Sequence, residues 1–368
     1  VPLDPTVVAD RGAGCLLGGA LGDALGAPVE FMRLDEIRKE YGPAGITHPP
    51  RLGLITDDTQ MTLFTAEGYL RAWVRGKHQG QWGPAALVWL SYRRWLDTQQ
   101  QRAPAPDAVG LLADKRLYAS RAPGVTCLRV LQAANEVTEV PDPEHPINDS
   151  RGCGGVMRAA PAGFAPTAET AYGLGCEFAA LTHGSPAGWA PAGALAMIVH
   201  LVAIRRRSLV EAVDQATGRV LRDDRETAHA LAAATALAGY DAAKAEQARE
   251  ARAFGRRVVT GGPSDRSIER LGGGWVGPEA LAIAVYSALS HRTPERFPDA
   301  LRLAANHSGD SDSTASIAGN LLGALHGAAA LPREWLGRLE LSDLIDQVGR
   351  DLAASCTGSG FDEDHYRF

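Results

Sequence analysis

Two acidic clusters, Thr56-Asp57-Asp58-Thr59 and Asp310-Ser311-Asp312-Ser313, lie about 250 residues apart, and each precedes an apolar-periodic stretch that reads as a helix. If the two helix starts converge, four carboxylates and two or three hydroxyls share one small volume. Like charges that close cannot all stay ionised without cations, and a hard divalent metal resolves the conflict. Helix capping is the competing explanation for either cluster alone, because Asp, Ser and Thr are favoured N-caps and Asp suits the positive end of the helix dipole. Capping, however, needs only one of the acids. In the second cluster the carboxylates sit at i and i+2 after Gly309, so a turn can aim both inward before the helix of Ile317, Leu321, Leu322 and Leu325.

Other residues with chemical potential lie between the clusters. The first helix ends in Gly18-Gly19-Ala20-Leu21-Gly22-Asp23-Ala24-Leu25-Gly26, followed by Pro28 and Glu30. Glycine at this density lowers helix propensity, which points to close helix packing or to the approach of a ligand. Glu30 falls outside the helix, where a loop carboxylate can act as a base or stand as an exposed acid. Gly152-Cys153-Gly154-Gly155 before Val156-Met157-Arg158 is a turn whose amides can face an anion such as a diphosphate. It lacks the Gly-Lys-Ser/Thr of a Walker loop and no strand precedes it, so neither a P-loop nor a Rossmann site is indicated. His183 and His307 each suit a cap or core as well as a site. Trp89 and Trp95 read as core, whereas Trp275 follows three glycines and can sit on a loop over a pocket.

The elements that must position these groups are helical. Apolar spacings of three and four recur, as in Leu209-Ala212-Val213-Ala216-Val220, and strand-like alternation is hard to find, Val258-Val259 being too brief to found a sheet. The periodicity predicts helices at 11–25, 59–75, 84–98, 105–118, 125–136, 167–181, 189–206, 209–221, 226–238, 242–254, 278–289, 294–305, 314–329 and 342–353. Ser208 with Glu211 forms a capping box. Gly- and Pro-rich connections at 41–56, 141–156 and 260–277 are long enough to be functional. No repeat of solenoid period emerges. The apolar run 190–204 is short for a membrane span and reads as a buried helix. The fold class is all-α, a compact orthogonal multi-helix bundle in which residues 1–354 form one domain and 355–368 a polar, loosely held tail.

With 368 residues the chain can bury a large core, and two clusters near opposite ends favour one body over independent halves. A net charge of −6 with basic residues bunched only at Arg205-Arg206-Arg207 argues against nucleic acid as a partner. Five cysteines, odd in number and without a Cys-x-x-Cys pair, suggest neither a disulfide framework nor a zinc site. With no signal-like segment in the first ten residues, the expectation is a cytoplasmic protein without a membrane partner. Oligomeric state is left open.

Taken in order, these motifs resemble the ADP-ribosylglycohydrolase family. The resemblance runs over about residues 12–327 and rests on the Gly-Asp-Ala-Leu-Gly helix with Glu30, Thr56-Asp57-Asp58-Thr59-Gln60-Met61, the glycine loop with Ala160-Pro161, Thr182-His183, Gly274-Trp275-Val276 with Glu279-Ala280-Leu281, and His307-Ser308-Gly309-Asp310-Ser311-Asp312-Ser313. It implies an all-α protein holding two Mg2+ or Mn2+ ions on Thr56, Asp57, Asp58, Asp310, Asp312 and Ser313. It further implies Glu30 and Asp310 as catalytic, and Gly152, Cys153, Gly154, Gly155, Val156, Met157, His183, Ser308, Gly309 and Trp275 as substrate-binding. Cys153 stands where many relatives carry Asn, and Ser313 where Thr is common; the second exchange keeps a hydroxyl oxygen.

The implied reaction is hydrolysis of the bond between C1″ of the distal ribose of ADP-ribose and a modified side chain, arginine foremost, in an ADP-ribosylated protein or small conjugate. It passes through an oxocarbenium-like state that nearby anions stabilise. Other ADP-ribose linkages (serine, O-acetyl, nucleobase), a two-metal nucleotide phosphohydrolase and a non-catalytic ADP-ribose-binding relative are the alternatives.

Overall fold

The computed structural model describes residues 4–134, 139–239 and 265–367. The predicted helix at 242–254 and the Val258-Val259 pair lie outside them, as does part of the 260–277 connection. Helices α1 (Pro5–Gly26), α2 (Leu34–Tyr41), α3 (Asp57–Gln79), α4 (Pro84–Gln100), α5 (Val125–Gln132) and α6 (Ala168–Ala180) form the first half. The second holds α7 (Pro186–Ala203), α8 (Leu209–Val220), α9 (Arg225–Leu237), α10 (Gly277–Ser290), α11 (Phe297–Ala305), α12 (Ser311–His326) and α13 (Ser342–Thr357), with single turns at Asp265–Ile268 and Arg333–Leu336. Among the described residues extended pairing is confined to two isolated bridges, Gly53 with Leu339 and Gly152 with Val276, in keeping with the all-α expectation. Side-chain caps start many of the helices: Asp4 on α1, Thr56 on α3, Thr167 on α6, Ser208 on α8 with Glu211 completing the box, and Asp224 on α9.

The central packing event is antiparallel contact between α1 and α12. Gly14, Gly18, Gly22 and Gly26 recur every four residues and form a ridge without side chains. A Cβ on Gly18 would collide with the Gly319 carbonyl, one on Gly22 with that of Ala315, and one on Gly26 with that of Ser311. From the other side, Cβ atoms on Gly319 and Gly323 would strike the carbonyls of Gly18 and Gly14. The glycines therefore serve helix packing, the first of the two explanations open from the sequence. Because the helices are antiparallel, the C-terminal end of α1 is fixed against the N-terminal end of α12.

Around this pair α13 closes on the N-terminal half of α1, where Gly12 meets Gly349. α7 is buried along nearly its whole length, as the apolar run 190–204 suggests. Trp89 and Trp95 are core residues of α4.

Three local expectations are corrected. Residues 105–118 form two 3-10 turns, Gly110–Ala113 and Lys115–Leu117, not a helix; only Leu111 and Leu117 of these turns are buried, too few anchors for an amphipathic face. Helix α2 is absent from the predicted set because it buries only Ile37 and so carries no readable period. The tail is fastened: Tyr366 is buried and donates to Asp351 Oδ2 at 2.7 Å, and Phe361 packs on Trp73. Its two aromatic rings outweigh its polar composition.

Candidate active site

The end of α1 delivers the first acid. After Gly26 the chain makes the 3-10 turn Ala27–Val29 and reaches Glu30 beside the start of α12. Phe31 follows in the left-handed region at φ 67°, a conformation that β-carbon crowding disfavours. Helix α3 is capped by Thr56, which accepts from the Asp58 amide at 3.2 Å, and α12 by Asp310, which accepts from the Ser313 amide at 3.3 Å. Capping is thus real in both clusters, yet it accounts for one residue of each. Asp57 Oδ2 accepts from the Gly124 amide at 2.9 Å, and Asp58 Oδ1 is buried with no hydrogen-bond partner.

Glu30, Asp57, Asp58, Asp310, Asp312 and Ser313 line one cavity of about 320 Å³ together with Gly152, Cys153, Gly154, Met157, His183 and Trp275. One oxygen from each of Glu30, Asp310 and Asp312 lies within 4.8 Å of the others. At that separation two ionised carboxylates repel by roughly 3–4 kcal/mol in an effective dielectric near 20. Among the described residues that line the cavity there is no lysine or arginine to offset this. Burial, then Asp312, Asp310 and Asp57, push Glu30 up to about 9; burial chiefly raises Asp57 to about 8 and holds Asp58, Asp310 and Asp312 above the ordinary carboxylate range. The donors are hard oxygens and one buried oxygen is unpartnered, so the residues fit a divalent cation such as Mg2+ or Mn2+.

The glycine loop forms the opposite wall. Cys153 opens the 3-10 turn Cys153–Gly155, its amide donating to the Trp275 carbonyl at 3.1 Å while Gly277 donates to Arg151 at 3.0 Å. This short pairing ties the loop to the Trp275 segment. The Cys153 thiol donates to Asp310 Oδ2 at 2.7 Å, a contact that orients the carboxylate at the head of α12. His183 sits against the loop, and a Cβ on Gly154 would come 2.9 Å from its ring.

Several residues named from the resemblance do not border the cavity. Thr56 lies behind Asp58, Gly155 is packed under Gly188, and Val156 is fully buried in the core. Ser308 accepts from the Leu34 amide at 3.0 Å and receives no aim toward the cavity from that bond, while Gly309 is pressed on the Gly273 carbonyl. These positions shape the wall from behind. His307 is also internal, bonded to Thr314 Oγ1 at 2.9 Å.

Two residues went unassigned in the sequence reading. Asp23 is fully buried and accepts from the Thr56 and Thr59 amides and from the Thr59 hydroxyl, the last at 2.5 Å. A lone acid inside a Gly/Ala/Leu helix was the signal available for it. Phe31 stacks on Trp275 at the cavity mouth, centroids 5.2 Å apart and planes inclined 22°. Nothing in its sequence context marks it.

A family model described as ADP-ribosylglycohydrolase matches residues 4–360. The ADP-ribosylarginine hydrolase Tri1 of Pseudomonas putida (strain GB-1) is 25% identical over 361 residues, covering 95% of this chain and 80% of that protein. The ADP-ribosyl-dinitrogen reductase glycohydrolase of Rhodospirillum rubrum is 25% identical over 370 residues, covering 96% and 98%. A solved structure described as an ADP-ribosylglycohydrolase-related protein complex shares the fold, with a TM-score of 0.56 at 22% identity over 95% of this chain and 99% of that one.

Proposed function

We propose, given that the chain belongs to the ADP-ribosylglycohydrolase family and is a hydrolase of ADP-ribosyl linkages, that it cleaves the bond between C1″ of the distal ribose and an arginine side chain of an ADP-ribosylated substrate. The arginine linkage is supported by the likeness to the ADP-ribosylarginine hydrolase. The observation that carries the reading is the convergence of Glu30, Asp310 and Asp312 within 4.8 Å, in a cavity that Asp57 and Asp58 also line.

Two Mg2+ or Mn2+ ions fit this donor set, with Asp57 and Asp58 on the α3 side and Asp310, Asp312 and Ser313 on the α12 side, while Thr56 supports Asp58 from behind. When bound, such ions lower the pKa of a water and hold ribose hydroxyls. The chain supplies the rest. The four aspartates offset the charge of the two cations, so the site does not oppose the positive charge that develops on the ribose ring. Glu30, ionised once bound cations offset its acidic neighbours, takes a proton from the attacking water on a carboxylate oxygen as the C1″–N bond breaks, and that proton ends on the departing arginine guanidine. The Cys153 thiol holds the Asp310 carboxylate in place through the bond described above. Gly152, Gly154 and His183 line the wall where an anion can accept from N–H groups, which suits the diphosphate. Phe31 and Trp275 present flat faces at the mouth.

Incubation with arginine-, serine- and nucleobase-linked ADP-ribose in Mg2+ or Mn2+, followed by chromatography, tests this. Free ADP-ribose from the arginine conjugate is expected. Release of AMP or phosphate would overturn cleavage at C1″, and turnover confined to the serine or nucleobase conjugate would overturn the arginine linkage.

A further inference from the structure

We infer that Arg158 and Thr182 are positioning residues that lock His183 in the tautomer carrying its proton on Nε2, so that the ring presents a fixed N–H donor to a substrate oxygen. This rests on the reading of the cavity as the ADP-ribose site.

Arg158 is fully buried, and among the described residues no carboxylate forms an ion pair with it. Its guanidinium instead lies over the Tyr92 ring at 4.3 Å and donates to Thr182 Oγ1 at 2.6 Å, Cys127 Sγ at 3.1 Å, Met61 Sδ at 3.4 Å and the Phe178 carbonyl at 3.4 Å. Burying a cation without a counter-ion is costly, and the hydrogen bonds and the Tyr92 ring are what offset that cost. A guanidinium has donors only and keeps its charge. Thr182 Oγ1 must therefore accept from it, and the hydroxyl hydrogen is left for another acceptor.

His183 Nδ1 lies 2.8 Å from that hydroxyl. The neighbouring Cys127 sulfur is already engaged by the guanidinium at 3.1 Å and is the weaker acceptor. The hydroxyl donates to Nδ1, Nδ1 carries no hydrogen, and the neutral ring has its proton on Nε2. That nitrogen faces the glycine loop: Cβ atoms built on Gly152 and Gly154 would lie 3.4 and 3.1 Å from it. His183 also lines the cavity. Burial and the nearby Arg158 push its pKa down to about 3. The ring thus stays neutral through ordinary pH and acts as an oriented donor, with no proton transfer assigned to it.

Long-range proton–nitrogen NMR on histidine-labelled full-length protein reads the tautomer directly. The wild type and Thr182→Ser should show Nε2–H, and Thr182→Val, which removes the hydroxyl at similar volume, should lose that preference. Nδ1–H in the wild type, or an unchanged tautomer in Thr182→Val, would overturn the inference; the wild-type spectrum decides even if the valine variant fails to fold. Titration with ADP-ribose adds a second readout, with Thr182→Val binding up to about tenfold more weakly and Thr182→Ser within about twofold of wild type. If the wild type shows Nε2–H but does not bind ADP-ribose, the functional reading fails while the tautomer lock stands.

Discussion

Asp23 receives the Thr56 amide on both oxygens of its carboxylate, at 3.1 and 2.9 Å, although one residue lies deep in α1 and the other caps α3. The same carboxylate holds the Thr59 amide and hydroxyl. α1 is in turn locked to α12 through the glycine ridge, so Asp23 is the strut that sets one acidic cluster relative to the other. Asp23→Asn should keep the fold but weaken Mn2+ binding by about 10–100-fold, the usual loss when support for ligating groups is removed. Calorimetric titration checks this, and unchanged affinity would show that the strut is dispensable.

Asp312 lies within 4.8 Å of Glu30 and Asp310, and burial first, then the Asp312 carboxylate, raises the pKa of both. Asp312→Asn should reduce turnover by roughly 10²–10³-fold, equivalent to about 3–4 kcal/mol. In EDTA the same variant should melt at a higher temperature than the wild type, because a like charge has left the cluster. A variant that is active at the wild-type rate, or less stable in EDTA, would contradict the assignment.

The acids also set a pH dependence. Glu30, Asp57 and Asp23 titrate in the folded protein at about 9, 8 and 7, against ordinary values of 4.5, 3.8 and 3.8. A carboxyl with a raised folded value contributes its stability while protonated in the fold; that contribution is complete below the unfolded value and is lost as pH rises through the folded one. In EDTA the melting temperature should therefore fall from about pH 4 to about pH 9, and Mg2+ or Mn2+ should reduce the fall. A melting temperature that rises over this window in EDTA would refute the account.

The glycine ridge gives a stability prediction. Gly319→Ala places a methyl against the Gly18 carbonyl, and backbone on both sides leaves little room to relax. A loss of about 1–3 kcal/mol is expected in denaturant unfolding. Metal affinity should fall with it, because the C-terminal end of α1 and the N-terminal end of α12 separate.

At the mouth, Phe31 holds a strained backbone and stacks on Trp275. Phe31→Gly should leave stability nearly unchanged, because relief of about 1 kcal/mol of strain is offset by loss of the Trp275 stack, while raising KM for the ADP-ribosyl substrate. A poorer KM at unchanged stability separates a mouth residue from a structural one; an unchanged KM would remove Phe31 from the site.

Periodicity and composition were enough for the all-α class, most helices and the buried tryptophans, because these depend on local spacing of apolar residues. Asp57, Asp58, Asp310 and Asp312 were legible for a similar reason, since paired acids at a helix start exceed what capping requires. Other features depend on contacts between distant segments. The stacking of Phe31 on Trp275, the bond from Asp23 to Thr56 and the chain from Arg158 through Thr182 to His183 each join residues whose partners are unmarked in the sequence. The glycine stripe of α1 was visible as a stripe, but its partner was not. Its meeting with the matching positions of α12, together with the bond from Asp23 to the head of α3, decided that two clusters about 250 residues apart border one cavity, because side-chain-free backbones let α1 approach α12 closely and Asp23 carries that placement on to α3.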